Sequence, residues 1–373
     1  MHIVINASAV SAVKGGASFY IVNITRALAL AKNVHTITIL CTKAGAPYFR
    51  DMAGVDRCID TAPGGTLARL VWEQFLLPRL CRSLHADLLF SPNYTMPLFM
   101  RKVKNAVTIH DLSFFPLSAL YPRSRRLFKP IIRLSVRRAD AVIAVSERTK
   151  ADIATYIGAV PAKKTTVVYN AADDRFTLST PDAVAAVKQR FGIDKEYILF
   201  TGFLEPRKNL KRLITAFGKI CDRIPHDLVI AGGNGWWFED LPDTVNAARV
   251  KERIRFLGYV PDDCMQALYA GADLFAFVSL YEGFGIAALE ALSCGTPVLA
   301  SNNTALPEVV GDAGVYADPY DIDDIAEKLC CVNDRKAMHQ LRNRCAAVAA
   351  RFSWHRAAEQ MMSLFESTVA AEP

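Results

Sequence analysis

The nine cysteines, at 41, 58, 81, 221, 264, 294, 330, 331 and 345, form no CxxC pair and no Cys/His ligand spacing. No cysteine-based metal or redox motif is therefore present, and an odd count argues against a closed disulfide framework, so a reducing cytosol fits best. No apolar run reaches the length of a membrane span. The longest, such as 141–145 and 228–231, are strand-sized, and the start lacks a charged region followed by a hydrophobic one. The expectation is a cytoplasmic protein that is neither exported by that route nor integral to a bilayer. Helix-turn-helix, zinc-finger and RNA-binding aromatic motifs are absent, which removes nucleic acid as the expected partner. No Asp-x-Asp motif follows a strand where a catalytic metal would sit. Asp321-Ile322-Asp323-Asp324 has the letters, but it follows Pro319 and precedes the apolar 325–329 segment, so it reads as a helix cap. No metal and no cofactor are expected.

What is present is a long chain with much to bury. With 373 residues, 51% of them hydrophobic and 22% charged, disorder and fibre are excluded and two domains are favoured over one core. The charge is uneven: the formal net charge of +7 divides into +13 for residues 1–180 and −6 for the rest. Much of the excess lies in Arg101, Lys102 and Lys104, and in Arg123, Arg125, Arg126, Lys129, Arg133, Arg137 and Arg138. Because these lie beside Leu127, Phe128, Ile131, Ile132 and Leu134, the combination suits an anionic membrane surface or a lipid-diphosphate carrier; a solvated helix face is the alternative.

Short apolar segments alternate with helical ones. Residues 2–6 read as a strand, 14–16 as a turn and 17–31 as a helix, with further strands at 35–41, 88–90, 106–109, 141–145 and 165–168. A polar, turn-rich stretch at 170–182 interrupts the rhythm. After a helix over 181–191 it resumes with strands at 197–201, 227–231, 253–257, 273–278 and 297–300. This is an α/β chain of two Rossmann-like domains facing a cleft, with ligand sites beyond the carboxyl ends of the strands. The first domain is expected over 1–178 and the second over 179–354. An apolar stripe at Trp354, Ala357, Met361, Leu364 and Phe365 marks a closing helix, 355–373, expected to join the core of the first domain.

Two segments carry chemistry. Ser279 to Ala291 follows a buried strand and opens a helix that stops near Cys294 and Gly295. Glu282 lies in its loop, Glu290 about a turn into the helix, and Gly283 and Gly285 let backbone approach a ligand, where the free N–H groups of the helix start favour an anion such as diphosphate. The bland reading is a loop with an acidic first turn. Thr201 to Asn209 also follows a strand and places Arg207 and Lys208, a planar fork and a point charge, at the same carboxyl edge. A solvated basic pair is the alternative there.

The spacing of Glu282 and Glu290 about a GFG insert, Glu205-Pro206-Arg207-Lys208-Asn209, and the run Ala305-Leu306-Pro307-Glu308 through Gly314 together resemble the retaining glycosyltransferases of family four. The likeness covers most of the chain and is strongest over 197–320. It implies a GT-B architecture, with a nucleotide-sugar donor on the C-terminal domain, an acceptor on the N-terminal one, and a closing helix that crosses back to the first domain. Carried over by motif, Arg207 and Lys208 hold the diphosphate, Glu290 the ribose hydroxyls and Glu282 a hydroxyl of the donor sugar. The backbone of Gly283, Phe284, Gly285 and Ile286 touches sugar and phosphate, and Tyr259 the base. His110, at the end of a buried strand, is a structural hydrogen-bonding group by default; the resemblance places it against the donor sugar. Lys14, Gly15 and Gly16 resemble the family's first glycine turn, with Gly15 and Gly16 near the donor and Lys14 on the acceptor side, which Asn93 and Tyr94 would also line. One departure stands out: many members carry an additional Arg after the glycine matched by Gly202, and this chain has Phe203.

The implied reaction is metal-independent transfer with retention, the donor phosphate taking the acceptor proton on the face that departure opens. Lys208→Ala is expected to lose most activity with little change in melting temperature. Rivals are a sugar phosphorylase, a nucleotide-sugar epimerase and a non-catalytic carbohydrate-binding protein. The donor stays open among GDP-mannose and other GDP-linked or UDP-linked hexoses; the Glu205 to Asn209 run favours mannosyl or deoxymannosyl transfer to a glycan or polyprenyl-diphosphate-linked acceptor of surface-polysaccharide assembly at the inner membrane face, with UDP-dependent glucosyl or N-acetylglucosaminyl transfer as the alternative.

Overall fold

A computed structural model describes residues 1–11, 16–121, 128–233 and 241–371. Lys14, Gly15, Arg123, Arg125, Arg126 and Leu127, singled out above, lie outside the described residues. The chain divides into two compact units, Met1–Asn170 with Ser353–Pro373, and Ala171–Phe352.

In the first unit the described strands are β1 (His2–Asn6), β2 (Thr36–Thr42), β3 (Arg57–Ala62), β4 (Leu88–Ser91), β5 (Lys104–Ile109), β6 (Ala141–Ala144) and β7 (Thr165–Val167). They form one parallel sheet in the order β3-β2-β1-β4-β5-β6-β7. Ile3, Val4 and Ile5 have no exposed surface, as expected of a parallel strand covered on both faces. The helix Gly16–Ala31 buries Tyr20, Ile21, Ile24 and Leu28. Against it lies the closing helix Trp354–Ala370, whose first turn is capped by Ser353. Trp354 meets the rings of Phe19 and Tyr20 at centroid distances of 6.2 and 5.9 Å, and Phe365 meets Phe90 at 5.3 Å.

The second unit holds β8 (Tyr197–Thr201), β9 (Asp227–Ala231), β10 (Ile254–Gly258), β11 (Leu274–Phe277), β12 (Val298–Ser301) and β13 (Gly314–Ala317), parallel in the order β10-β9-β8-β11-β12-β13. Period-two alternation splits each strand between two cores: Ile198 and Phe200 enter one, Tyr197 and Leu199 the other. The helix Leu210–Ile220 presses Leu213, Ile214 and Phe217 into the first of these. Truncating Phe217 there would cost about 3–5 kcal/mol.

The strand order fixes where ligands can bind. In the second sheet the chain runs outward in opposite directions from β8 and β11, so the loops after these two neighbours diverge and leave a crevice between them. In the first sheet the same reversal lies between β1 and β4.

The boundary falls before Ala171, earlier than the 178/179 read from sequence. The reason is packing. Phe176 is buried in a core of the second unit, Arg175 pairs with Asp262 at 2.9 Å, and Gln266 donates to the carbonyls of Thr177 and Leu178. Polarity marked this stretch as linker, but its one aromatic side chain assigns it to the second unit. Its far end differs too, since Ser353 and Trp354 already belong to the first unit, two residues ahead of the expected 355.

Candidate active site

The loop after β8 is built around Asn209. It adopts a left-handed conformation at φ +62°, tolerated by Asn because its short amide can bond locally. Its Nδ2 donates to the carbonyls of Val278 at 2.9 Å and Pro319 at 2.7 Å. That buried side chain ties the Glu205–Asn209 segment to the end of β11, and Leu280 N–H donates to the Arg207 carbonyl at 2.8 Å, closing the join. The close approach of β8 and β9 needs glycine. A Cβ on Gly232, at φ +152°, would stand 1.9 Å from the Gly202 carbonyl oxygen.

Arg207, Lys208 and Glu282 come together in this crevice. Glu282 Oε1 lies 2.9 Å from Arg207 Nη1 and 2.9 Å from Lys208 Nζ. Burial alone would raise the Glu282 carboxyl, but the two cations outweigh it and hold it at about 2. Arg207 is further engaged, donating to the Tyr281 carbonyl at 2.6 Å and Glu205 at 2.7 Å. Its fork therefore braces the two loops. Lys208 sits with Nζ 4.5 Å from the Phe277 ring centroid, and burial lowers its ammonium below the ordinary value against the pull of Glu282. One of its three donors is on Glu282, which leaves it hydrogen-bonding capacity to offer an anion. The expectation that Lys208→Ala leaves the melting temperature unchanged is corrected by this geometry, since a buried, paired ammonium contributes to the fold.

The helix Ile286–Ser293 starts where expected. Gly285 caps it at φ +98°, and a Cβ there would meet Leu306 Cδ2 at 2.5 Å, so glycine is needed for conformation and for space alike. The amides of Ile286 and Ala287 open the helix and have no intrahelical acceptor, which favours an anion at this tip. Gly283 is buried, and Phe284 packs edge-on against Phe352 at 5.5 Å. Glu290, half-buried, accepts a hydrogen bond from the Tyr269 hydroxyl at 3.0 Å, and that oxygen is also 2.8 Å from Thr201 Oγ1. Burial raises the Glu290 carboxyl to about 7, with Tyr269 and Arg175 pulling the other way and Asp173 and Asp262 adding to the rise. Tyr259 and Phe203 are exposed at the same edge of the sheet. Tyr269 and Arg175 carry no sequence signal; the first acts on Glu290 through its hydrogen bond and the second through its charge, and no local pattern records either.

In the first unit His110 follows β5. Its Nε2 lies 2.8 Å from the Pro92 carbonyl, so Nε2 carries the proton and the neutral ring keeps Nδ1 as an acceptor. Burial lowers its pKa below the ordinary value. The Tyr20 and Tyr94 rings hold it edge-on at 4.6 and 5.3 Å, and Tyr94 itself is left-handed at φ +60° with its N–H on the Thr108 carbonyl. A cavity of about 800 Å³ opens at the β1/β4 reversal, lined among others by Ser8, Lys43, Thr66, Arg69 and Asn93. Gly16 begins the adjacent helix. Behind the cavity the buried Glu73 accepts from Asn6 and Thr95, and burial raises its carboxyl against the opposing charge of Arg69. Neither Glu73 nor Arg69 stands out in the sequence, because a base and an acid four apart are the ordinary spacing of a solvated helix pair.

Asp321 caps the helix Ile322–Leu329 through the amides of Asp323 and Asp324, in line with the reading of that acidic run. Glu196, His226 and Asp273 form one carboxylate-histidine cluster at the opposite, amino-terminal ends of β8, β9 and β11. Arg342 bonds Asp273 at 3.2 Å and Arg335 approaches Glu196 at 3.9 Å, so the cluster reads as ion pairing that joins strand starts.

Comparisons with known proteins agree with this geometry. Residues 14–176 match the family described as "Glycosyltransferase Family 4" and residues 185–351 the family described as "Glycosyl transferases group 1". O-antigen chain mannosyltransferase B of Escherichia coli is 31% identical, covering 94% of this chain and 96% of that one. O-antigen chain mannosyltransferase RfbU of Salmonella typhimurium is 26% identical over 83% and 85%. Among solved structures, Anabaena HepE in complex with UDP and glucose superposes with a TM-score of 0.77 at 21% identity, covering 98% of this chain and 100% of that one. Sucrose-phosphate synthase of Thermosynechococcus elongatus reaches 0.79 at 18% identity with full coverage of both chains, 100% each. The fold is therefore the two-sheet GT-B fold of these enzymes, and with a relative of 31% identity along nearly its whole length, the chain belongs to the family 4, group 1 glycosyltransferases.

Proposed function

We propose that this glycosyltransferase moves mannose from a nucleoside-diphosphate donor, GDP-mannose by preference, onto a glycan or polyprenyl-diphosphate-linked acceptor of surface-polysaccharide assembly, with retention and without a metal. The observation that carries the reading is the meeting of Lys208, Arg207 and Glu282 beside the start of the Ile286–Ser293 helix. Fixed positive charge and oriented amides in a water-poor crevice stabilise a departing diphosphate as it gains charge. The names of the O-antigen relatives support mannose and the polysaccharide context.

Each residue follows from its chemistry. Lys208 and the helix amides take the diphosphate, with Arg207 bracing the loops. Glu290 accepts the ribose hydroxyls when ionised. Glu282, held ionised by two cations, is a weak base and a weak nucleophile, yet a good acceptor for a sugar hydroxyl. This supports a same-face route in which the acceptor oxygen bonds to the anomeric carbon as the carbon–phosphate oxygen bond breaks, and the proton passes to a phosphate oxygen. His110 Nδ1 accepts from a second sugar hydroxyl. The acceptor occupies the cavity bordered by Asn93, with Tyr94 beside it, on a cytoplasmic protein held against the inner membrane face.

Thermal shifts with nucleoside diphosphates, followed by NMR of the product, test this. GDP is expected to stabilise most, an α-mannosyl donor to give an α-linked product, and a chelator to leave turnover intact. Preferential stabilisation by UDP redirects the donor to a UDP-hexose. An inverted anomeric centre defeats the mechanism, and turnover of donor with no acceptor favours an epimerase.

A further inference from the structure

The helix Thr66–Phe75 is apolar on two sides. Trp72 faces inward into a core with Val4, Leu40, Leu77 and Leu89. Outward, Leu67 is 75% exposed, Val71 53% and Phe75 65%, at a strict spacing of four, and Leu76 beyond them is 49% exposed. An i, i+4, i+8 set lies on one face. A helix of the surface normally puts charge there.

The surroundings are basic. Gln74 accepts from Leu98 N–H at 2.9 Å and donates to the Met96 carbonyl at 3.0 Å, which binds the helix to the segment bearing Phe99, itself 77% exposed. Arg138 donates to the Leu98 carbonyl at 3.0 Å and its guanidinium lies 4.8 Å from the Phe99 ring centroid. Arg79 and Arg82, on the following helix Leu77–Ser83, and Arg101 and Lys102, two and three residues after Phe99, are exposed. Glu73 of this helix is buried, Asp140 accepts from the Asn105 amide and pairs with Lys104, and Asp60 pairs with Arg50.

We infer that the Leu67, Val71 and Phe75 face, with Leu76 and Phe99, docks into the interface of an anionic lipid surface, the surrounding arginines meeting the headgroups. Apolar side chains interleaved with snorkelling cations are the pattern of a helix lying in the plane of a membrane. Charge complementarity favours lipid over a second copy of this basic unit. No described helix is long and apolar enough to cross a bilayer, so the contact is interfacial. The opposite edge of the same helix, at Thr66 and Arg69, lines the 800 Å³ cavity. Docking therefore brings that cavity to the headgroup plane, where a lipid-linked acceptor would enter; that use rests on the function proposed above, for which the docking face specifies the membrane contact.

Sedimentation with vesicles of phosphatidylcholine, alone or mixed with phosphatidylglycerol, tests it. The wild-type chain is expected to bind the mixed vesicles and to be released as salt rises. Leu67→Ser, Val71→Ser and Phe75→Ser combined should weaken that binding by about tenfold or more, with an unchanged melting temperature and unchanged transfer to a water-soluble acceptor. Arg79→Gln with Arg101→Gln should weaken binding to the mixed vesicles alone. Wild-type binding by the serine variant overturns the proposal. So does a wild-type chain that ignores vesicles but forms a dimer the serine variant dissolves, since the face then serves self-association. Lost docking in the variant beside a wild type inert toward every nucleotide sugar leaves the surface standing and removes the function.

Discussion

Replacing Glu282 with glutamine preserves the side-chain volume and deletes the charge on which Arg207 and Lys208 converge, each at 2.9 Å. The carboxyl falls from an ordinary 4.5 to about 2, which corresponds to about 3 kcal/mol favouring the ionised, folded form. Part of this is offset, because burial disfavours the Lys208 ammonium. The expected net penalty is about 2–3 kcal/mol near neutral pH, borne by the second unit. The sign with pH follows from a depressed folded pKa: the stabilisation is present above 4.5 and is lost as pH falls toward 2. The gap between wild type and variant should thus shrink to roughly half by about pH 3. Urea unfolding followed by circular dichroism at both pH values measures it. A double-mutant cycle with Lys208→Met isolates the pair, and coupling of about 1 kcal/mol or more is expected for groups in contact. A penalty that does not change with pH, or additive single substitutions, would refute the electrostatic account.

Lys208→Ala should lower kcat/KM by about 10²–10³ through lost transition-state charge and also lower the melting temperature, as steady-state kinetics and thermal melts will report; turnover within about threefold of wild type removes the diphosphate role. Because burial lifts Glu290 to about 7, kcat/KM for the donor should rise through that pH. Tyr269→Phe should move this limb upward, since the hydroxyl at 3.0 Å favours the ionised carboxylate. The stability contribution of a raised carboxyl runs the other way, present below 4.5 and lost as pH rises through about 7. A flat profile across that range sinks the ribose assignment.

Buried central strands were legible because both faces are covered. Ile198 to Phe200 and Leu274 to Phe277 are continuous apolar runs. β3 was not legible: unlike the edges β7 and β10, whose segments are apolar enough to read, Arg57-Cys58-Ile59-Asp60-Thr61-Ala62 has no run and no clear alternation, and β13 is only four residues long. The segment 171–178 lacks periodicity and has the polarity of a linker, though Phe176 seats it in the second unit.

The sequence by itself determined the residue types at the strand ends, namely Glu205 to Asn209 and Glu282 to Ile286, because glycines and adjacent charges after apolar runs leave a local signature. It also fixed the closing helix and the capping role of Asp321. Only the tertiary structure decided which of those residues meet. The adjacency of β8 and β11 pairs Lys208 with Glu282 across 74 positions, Asn209 reaches the Pro319 carbonyl across 110, and Tyr269 meets Glu290 across 21. Local propensity carries no information about such separations. Strand order and burial do, and they set the charge states on which the chemistry depends.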